Sequence, residues 1–377
     1  MLQGVDCMLR SILKQTAVVL LGLGAPAAVA ESGNTEIAHT NLRTATGDFA
    51  TLLNELVTDV GRSEHKHVSR NISLTGTRLV SKAKRSSWIE GNRLSFEEID
   101  EHEAEVIRLI RDDMVVAAKH FSVKEMQADE QLAFWLNLHN LTVISHISEA
   151  YPIGDIYELL FESRPESESG AIALYDQKFA VIDGERWSLA DIEAHIFTNW
   201  QNPLVMYGLF YGTIGSPNIR TAPYRAGSVW ANLKDNAAEF INSIRGTQVW
   251  GRRLAISQHY ARAANLFPDF DRDVKVHILS QIESPQWHKR IKLASRVDPS
   301  VDNWRVADFF DGRPGRISTS FAKSFSPGGQ ALVAYQTMPA YTRELALKIA
   351  RRNSRRDPIV RVEELEAASE DEPGPER

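Results

Sequence analysis

Ser216, His139 and Glu193 are residue types suited to nucleophilic hydrolysis. A serine hydroxyl is barely nucleophilic at neutral pH unless a neighbouring base takes its proton. Ser216 stands in the glycine-rich stretch "LFYGTIGSPN" (209–218), where main-chain N–H groups could hold an oxyanion. His139, His146 or His195 would be the base, and Glu193 would orient it. The local "GSP" is not the G-x-S-x-G nucleophile elbow. From Gly212 onward the loop offers only Thr213, Ser216 and Asn218 as polar side chains. It is either an active-site loop or the shell around one.

A metal is the second chemistry to weigh. "EHKH" (64–67) offers His65 and His67 in a polar segment expected to be solvated. His139 and His146 fall on one helical stripe, but two turns of rise, about 10.5 Å, separate them. Zinc needs three or four converging ligands, so the sequence assigns no metal site and no cofactor.

A binding site is the third possibility. Asn137, Asn140, Tyr211, Asn218 and Trp135 are its candidate residues. Trp135 with Tyr207, Tyr211 and Trp187 could line a groove for an extended peptide or glycan, although core packing explains any one of these rings as well. Asn137 and Asn140 sit within "DEQLAFWLNLHNLTVISHISEAYP" (129–152), an apolar segment of helical length ending at Pro152. Apolar over most of its circumference, it is expected to be a central buried helix. Buried amides must pair, and their expected role is to tie down neighbouring loop backbone.

Other segments must position these residues. "SFEEIDEHEAEVIRLIRDDMVVAAKHF" (95–121) predicts a helix opening on a Ser95/Glu98 capping box. "DFATLLNELV" (48–57) has helical spacing, and the polar residues 31–48 before it are read as flexible. In "KFAVIDGERWSLADIEAHIF" (178–197), Asp183-Gly184 signals a hairpin, and Ser188 with Asp191 a helix start. "SVWANLKDNAAEFINSI" (228–244) is amphipathic, and 254–283 reads as a strand passing into helices. The expectation is an α+β, mainly helical single large domain: a small β hairpin or sheet around a buried central helix, with a C-terminal helical extension.

The chain has 377 residues, 43% hydrophobic and 24% charged, and a formal net charge of −6. No basic excess points to nucleic acid. The first thirty residues differ in character: Arg10 and Lys14, then "TAVVLLGLGA" (16–25), then "AVA" (28–30). This is the pattern of a secretory signal peptide, and the apolar core is too short for a spanning anchor. The expectation is a periplasmic or secreted protein with no transmembrane anchor after processing. Cleavage removes Cys7, the one cysteine, so the mature chain has no thiol for catalysis, disulfides or metal. Lysines and arginines fall from 43 to 41 and acids from 49 to 48, giving −7. The expected organisation is signal peptide 1–30, polar and helical lead-in 31–94, core domain 95–300, irregular then helical extension 301–361, and acidic tail 362–377. An Arg-rich run (347–361) precedes that tail, which is expected to neutralise it.

Residues 95–285 resemble the domain of unknown function 547 family. "LAFWLNLHNLTV" (132–143) resembles its F-W-x-N-x-Y-N signature, "RWSLADIE" (186–193) its S-L-D-D-I-E helix start, and "NPLVMYGLFYGTIGSPNIR" (202–220) its D-P-x-x-H-F-x-L-x-C-x-x-x-x-C-P-x-L-R segment. "LAISQHYARAANLF" (254–267) resembles a later L-S-x-I-F-x-W-Y-x-x-D-F stretch. The family's histidine and two cysteines correspond to Met206, Tyr211 and Ser216 here. Its signature tyrosine corresponds to His139, and the histidine after its I-E pair to Ala194. A Cys–His pair would be the natural catalytic reading of that pattern, and both members are replaced. The departures from the family pattern imply a binding or scaffolding member that has lost a thiol-type site; with the signal pattern and the aromatic candidates, the expectation is an exported protein whose partner is a peptide or glycan of the cell envelope. The alternative is a hydrolase or peptidase-like enzyme using Ser216 with a histidine base.

Overall fold

The densest apolar segment forms the longest buried element, as its composition predicts. In the computed structural model, helix α3 spans Ala128–Ala150 and is buried from Leu132 to Ser145. In its first turn the Glu130 carboxylate accepts from Gln127 N at 3.3 Å. The structure describes residues 27–63, 65, 90–162, 172–308 and 312. The expected signal peptide up to residue 26, His67, the Arg-rich run and the acidic tail lie outside the described residues.

Two helices precede α3: the first packs on the second, and the second packs on α3. Helix α1 spans Ala27–Leu56 and buries Ala45, Phe49 and Leu53. This corrects the reading of 31–48 as a flexible lead-in: Ala45 continues the spacing of Phe49 and Leu53 one turn back, and tertiary burial outweighs local polarity. Helix α2 spans Glu101–Ala118, capped by Asp100 with Glu103. The start predicted at Ser95 is therefore five residues early. The Ser95 side chain caps nothing, and its main-chain N–H donates to Leu56 O at 3.0 Å. That bond continues the antiparallel pairing of β1 (Val57–Thr58) with β2 (Arg93–Leu94), and only a 3-10 turn separates β2 from the true cap.

The hairpin and the next helix form where turn chemistry placed them. Strands β3 (Ala180–Ile182) and β4 (Glu185–Trp187) pair in antiparallel fashion. Asp183 (φ 50°) and Gly184 (φ 78°) both take the left-handed conformation that a tight two-residue turn requires. The short helix α4 (Ile156–Phe161) precedes the hairpin. Helix α5 (Leu189–Asn199) follows it, closed by the Ser188/Asp191 capping box. The apolar run 204–210 is a buried 3-10 turn over Pro203–Gly208, followed by helix α6 (Val229–Ile241).

A three-stranded mixed sheet completes the domain, in the order β5 (Thr247–Trp250), β6 (Arg253–Ser257), β7 (Arg296–Val301). Between β6 and β7 run α7 (His259–Arg262), α8 (Phe270–Gln281) and α9 (Pro285–Leu293). The result is a mainly helical α+β domain. His65, expected in a solvated loop, is buried instead. Its ring stacks on Trp287 with centroids 4.1 Å apart, and its Nε2 lies 2.8 Å from Thr247 Oγ1. Pairing with an aromatic ring 222 positions away leaves no local signature.

Candidate functional site: a tyrosine, glutamate and arginine cluster

Glu193 projects from α5 into a buried position and gathers three partners. The hydroxyls of Tyr175 and Tyr211 both donate to its Oε2, the latter at 2.6 Å. The Arg262 guanidinium, from α7, donates to Oε1 at 3.1 Å and to Oε2 at 3.2 Å. Three rings surround that guanidinium, with centroids 4.6 Å (Phe161), 4.8 Å (Tyr175) and 5.2 Å (Tyr211) from Cζ. Burial, and then the Glu193 charge, push both phenols well above their ordinary pKa, so they stay protonated and donate. Burial opposes the charge on Arg262, but the phenolate forms that Tyr211 and Tyr175 would take at high pH, with the Glu193 carboxylate, outweigh it and raise its pKa. The pair is a carboxylate held by two phenols and by its own cation.

His139 lies beside this cluster and does not face a serine. Asn140 Oδ1 accepts from Phe210 N at 2.9 Å, and its Nδ2 donates to Gly208 O at 2.9 Å, which fixes the amide's orientation. His139 Nδ1, 3.1 Å from that Oδ1, must then carry the proton. Nε2 is left with its lone pair 3.3 Å from the Tyr175 hydroxyl oxygen, whose proton goes to Glu193. Burial lowers the His139 pKa to about 4, with the Asn140 bond opposing and Arg262 adding to the fall. The imidazole is neutral at physiological pH, and the neighbour it could deprotonate is a phenol already bound to a carboxylate.

Ser216 belongs to a different environment. Its hydroxyl donates to Thr213 O at 2.8 Å, with Pro217 O at 3.1 Å, and its own carbonyl accepts from Arg245. The loop around it is joined to residues 303–307. Ile214 N donates to Arg305 O, Gly215 N to Asn303 O, and Ala307 N to Gly212 O. Gly212 has φ 74°, and a Cβ there would lie 2.1 Å from Cδ1 of Ile147. The turn at Gly212 thus abuts the second half of α3, at Val143 and Ile147, while Phe210 and Tyr211 just before it meet Asn140 and His139. It is a sealed shell.

The remaining candidates are distributed between two roles. Asn137 pairs with the main chain of Tyr224 in both directions, at 2.9 and 2.8 Å; like Asn140, it holds loop backbone. Asn218 Oδ1 accepts from Asn92 N and from Arg245 Nη2, both at 2.9 Å. It joins a second buried network in which Arg245 meets Glu239 and Glu90 accepts from Ile244 N at 2.9 Å. Trp135 packs 4.4 Å from Trp187 and 5.1 Å from His195. Trp135, Trp187, Tyr207 and Tyr211 are all buried, so none of the four lines an open groove. Among the described residues no three histidine, cysteine or acidic side chains converge as a metal site, and no helix is long and apolar enough to cross a membrane.

Residues that the sequence did not single out form the outer side of the Glu193 cluster. Tyr157, Phe161 and Trp304 make a mutual ring cluster with centroid separations of 5.1 to 5.6 Å. Tyr157 is exposed, while Phe161, Trp304 and Arg262 are half-buried. His259 stacks on Tyr211 at 4.5 Å. It is buried with no partner for Nδ1, and burial, Arg262 and Arg245 depress its pKa to about 3. The available signal was the i,i+3 spacing of His259 and Arg262 within "SQHYARAANLF"; nothing local connects either to Glu193.

Residues 123–241 match the family model described as "Protein of unknown function, DUF547". The match covers α3, the hairpin, α5, the 209–218 loop and α6, and is narrower than the 95–285 resemblance read from the sequence. No curated protein and no solved structure matches the chain.

Proposed function

We propose that this protein, whose residues 123–241 match a family model of unknown function, is an exported, non-catalytic binding or scaffolding protein. Its ligand-facing surface is the ring cluster of Tyr157, Phe161 and Trp304, which meets Arg262 through Phe161. The observation that carries this reading is the state of Arg262. Its charge is fixed on Glu193, its faces lie against aromatic rings, and its side chain retains 27% exposure. Aromatic rings beside a positioned guanidinium suit a ligand with flat apolar faces and a carboxylate. Peptides and glycans of the cell envelope have that chemistry, and the signal-peptide pattern of residues 1–30 supports exposure to them.

The absence of catalysis in this reading rests on Ser216. Its hydroxyl is engaged by main-chain carbonyls, and His139 is committed to Asn140 and the Tyr175 side. A nucleophile needs a base within hydrogen-bond reach. The test compares wild type, Ser216→Ala and Arg262→Gln for hydrolysis of a peptide library, for labelling by a serine-directed phosphonate, and for retention of envelope peptides and glycans. The expected result is neither turnover nor labelling in any form, with retention by wild type that is lost in Arg262→Gln. Labelling at Ser216 would overturn the non-catalytic reading. N-terminal sequencing from the native host, with Glu31 expected first, tests export.

A further inference from the structure

One edge of the three-stranded sheet exposes a tryptophan and two arginines in a single row. Register pairs Trp250 with Arg253 and Arg253 with Arg296, so these three side chains form one row across β5, β6 and β7. The next row, Val249, Leu254 and Val297, is buried, and the Trp250 row is exposed. Trp250 is 57% exposed at the end of the β5–β6 hairpin, which turns through Gly251 at φ 59°. An exposed tryptophan at a hairpin tip adds nothing to the core beneath it.

The end of α9 is held against the same tip. Ser295 N donates to Arg252 O at 2.8 Å, and Lys275 Nζ donates to Lys292 O and Ala294 O at 2.9 and 2.6 Å. Arg290 Nη2 donates to Val249 O at 2.7 Å, which fixes α9 beside β5. Leu293, two residues before Ser295, is 65% exposed. From Pro285 to Arg296 the chain carries Lys289, Arg290, Lys292 and Arg296 and no acidic residue. Arg253 is paired with Asp298, but no described residue forms an ion pair with Arg252, Lys289, Lys292 or Arg296. A chain of net charge −6 thus concentrates uncompensated cations around two exposed apolar side chains.

We propose that this face, formed by the Trp250 row and the Leu293 end of α9, docks the protein peripherally on an anionic phospholipid bilayer. Cations near a charged leaflet each contribute about 1 kcal/mol, and tryptophan and leucine gain by entering the headgroup boundary. Charge complementarity alone would also suit nucleic acid, but phosphate backbones offer nothing to an exposed Leu293. Lipid satisfies both halves of the patch. The interaction is independent of the Arg262 cluster and of any ligand bound there.

Co-sedimentation of the full chain tests the proposal, using vesicles of phosphatidylcholine alone and vesicles containing phosphatidylglycerol. Pelleting with the anionic vesicles only, suppressed by added salt, is the expected result. Lys289→Glu with Lys292→Glu should weaken partitioning at least about 25-fold. Trp250→Ser should weaken it several-fold with charge unchanged. Arg252→Gln, whose side chain is exposed and unpaired among the described residues, should cost about five-fold and guards against misfolding of the double variant. Equal pelleting with both vesicle types, or anionic binding that these variants leave intact, would overturn the proposal. So would retention on duplex DNA without retention on vesicles.

Discussion

The Tyr211 hydroxyl donates to Glu193 Oε2 across 2.6 Å, at the position where the family resemblance places the first of two cysteines. A group that could have been a nucleophile is here a hydrogen-bond donor holding a carboxylate in place for Arg262. The cluster is therefore an electrostatic device with a stability signature of its own.

Glu193→Gln should destabilise the domain by about 2 kcal/mol, because it leaves the half-buried Arg262 charge without its carboxylate. Tyr211→Phe, which removes one donor and keeps the ring, should cost about 1–2 kcal/mol. Because the two act on one network, the double variant should lose less than the sum. Urea melts of the four proteins measure this, and strict additivity would show that the contacts are independent.

Trp135→Ala should cost roughly 3–5 kcal/mol, since Trp135 is 2% exposed against Trp187 and Phe134. Gly212→Ala should also destabilise, by about 2 kcal/mol or more. It combines a positive φ with a Cβ driven into Ile147. A midpoint shift worth less than about 0.5 kcal/mol in either variant would contradict the packing described.

Much of this was legible in the sequence, and what was not has a common cause. Asp183-Gly184 specified the hairpin and Ser188 with Asp191 specified the start of α5 because turn and cap chemistry is local. The continuous apolar run specified α3 for the same reason. Ser95 misled because a capping-box pattern records only spacing, and β pairing to Val57–Thr58 claimed that residue first. Arg262 was not found because its carboxylate stands 69 positions away, and the seal over Ser216 comes from residues 303–307. Long-range partners write no period into either segment.

Burial drives the Glu90 carboxyl up to about 8; Arg245 opposes the rise and Glu239 adds to it. The folded pKa lies above the unfolded value of 4.5, so the fold favours the protonated form. Its contribution is fully present below pH 4.5 and is lost as pH rises to about 8, on the order of a few kcal/mol. Glu90→Gln should flatten the stability profile between those limits and leave the variant the more stable protein above pH 8. An unchanged slope there would contradict a buried, protonated Glu90.

The histidines act on the acid side. Burial lowers His139 to about 4 and His259 to about 3, so both are neutral in the fold and charged more readily when unfolded. Stability from these groups is present above the unfolded value of about 6.5 and falls as pH drops toward the folded values. His259→Phe should therefore reduce acid sensitivity between pH 6 and 4, read as a smaller loss of melting temperature over that interval. A profile identical to wild type would contradict a neutral buried His259.

The measurement closest to the central claim is mass spectrometry of the envelope peptides and glycans recovered on the purified protein after incubation. The account predicts intact fragments on wild type and on Ser216→Ala, and none on Arg262→Gln. Cleaved fragments whose production stops in Ser216→Ala, or equal recovery on wild type and Arg262→Gln, would contradict it.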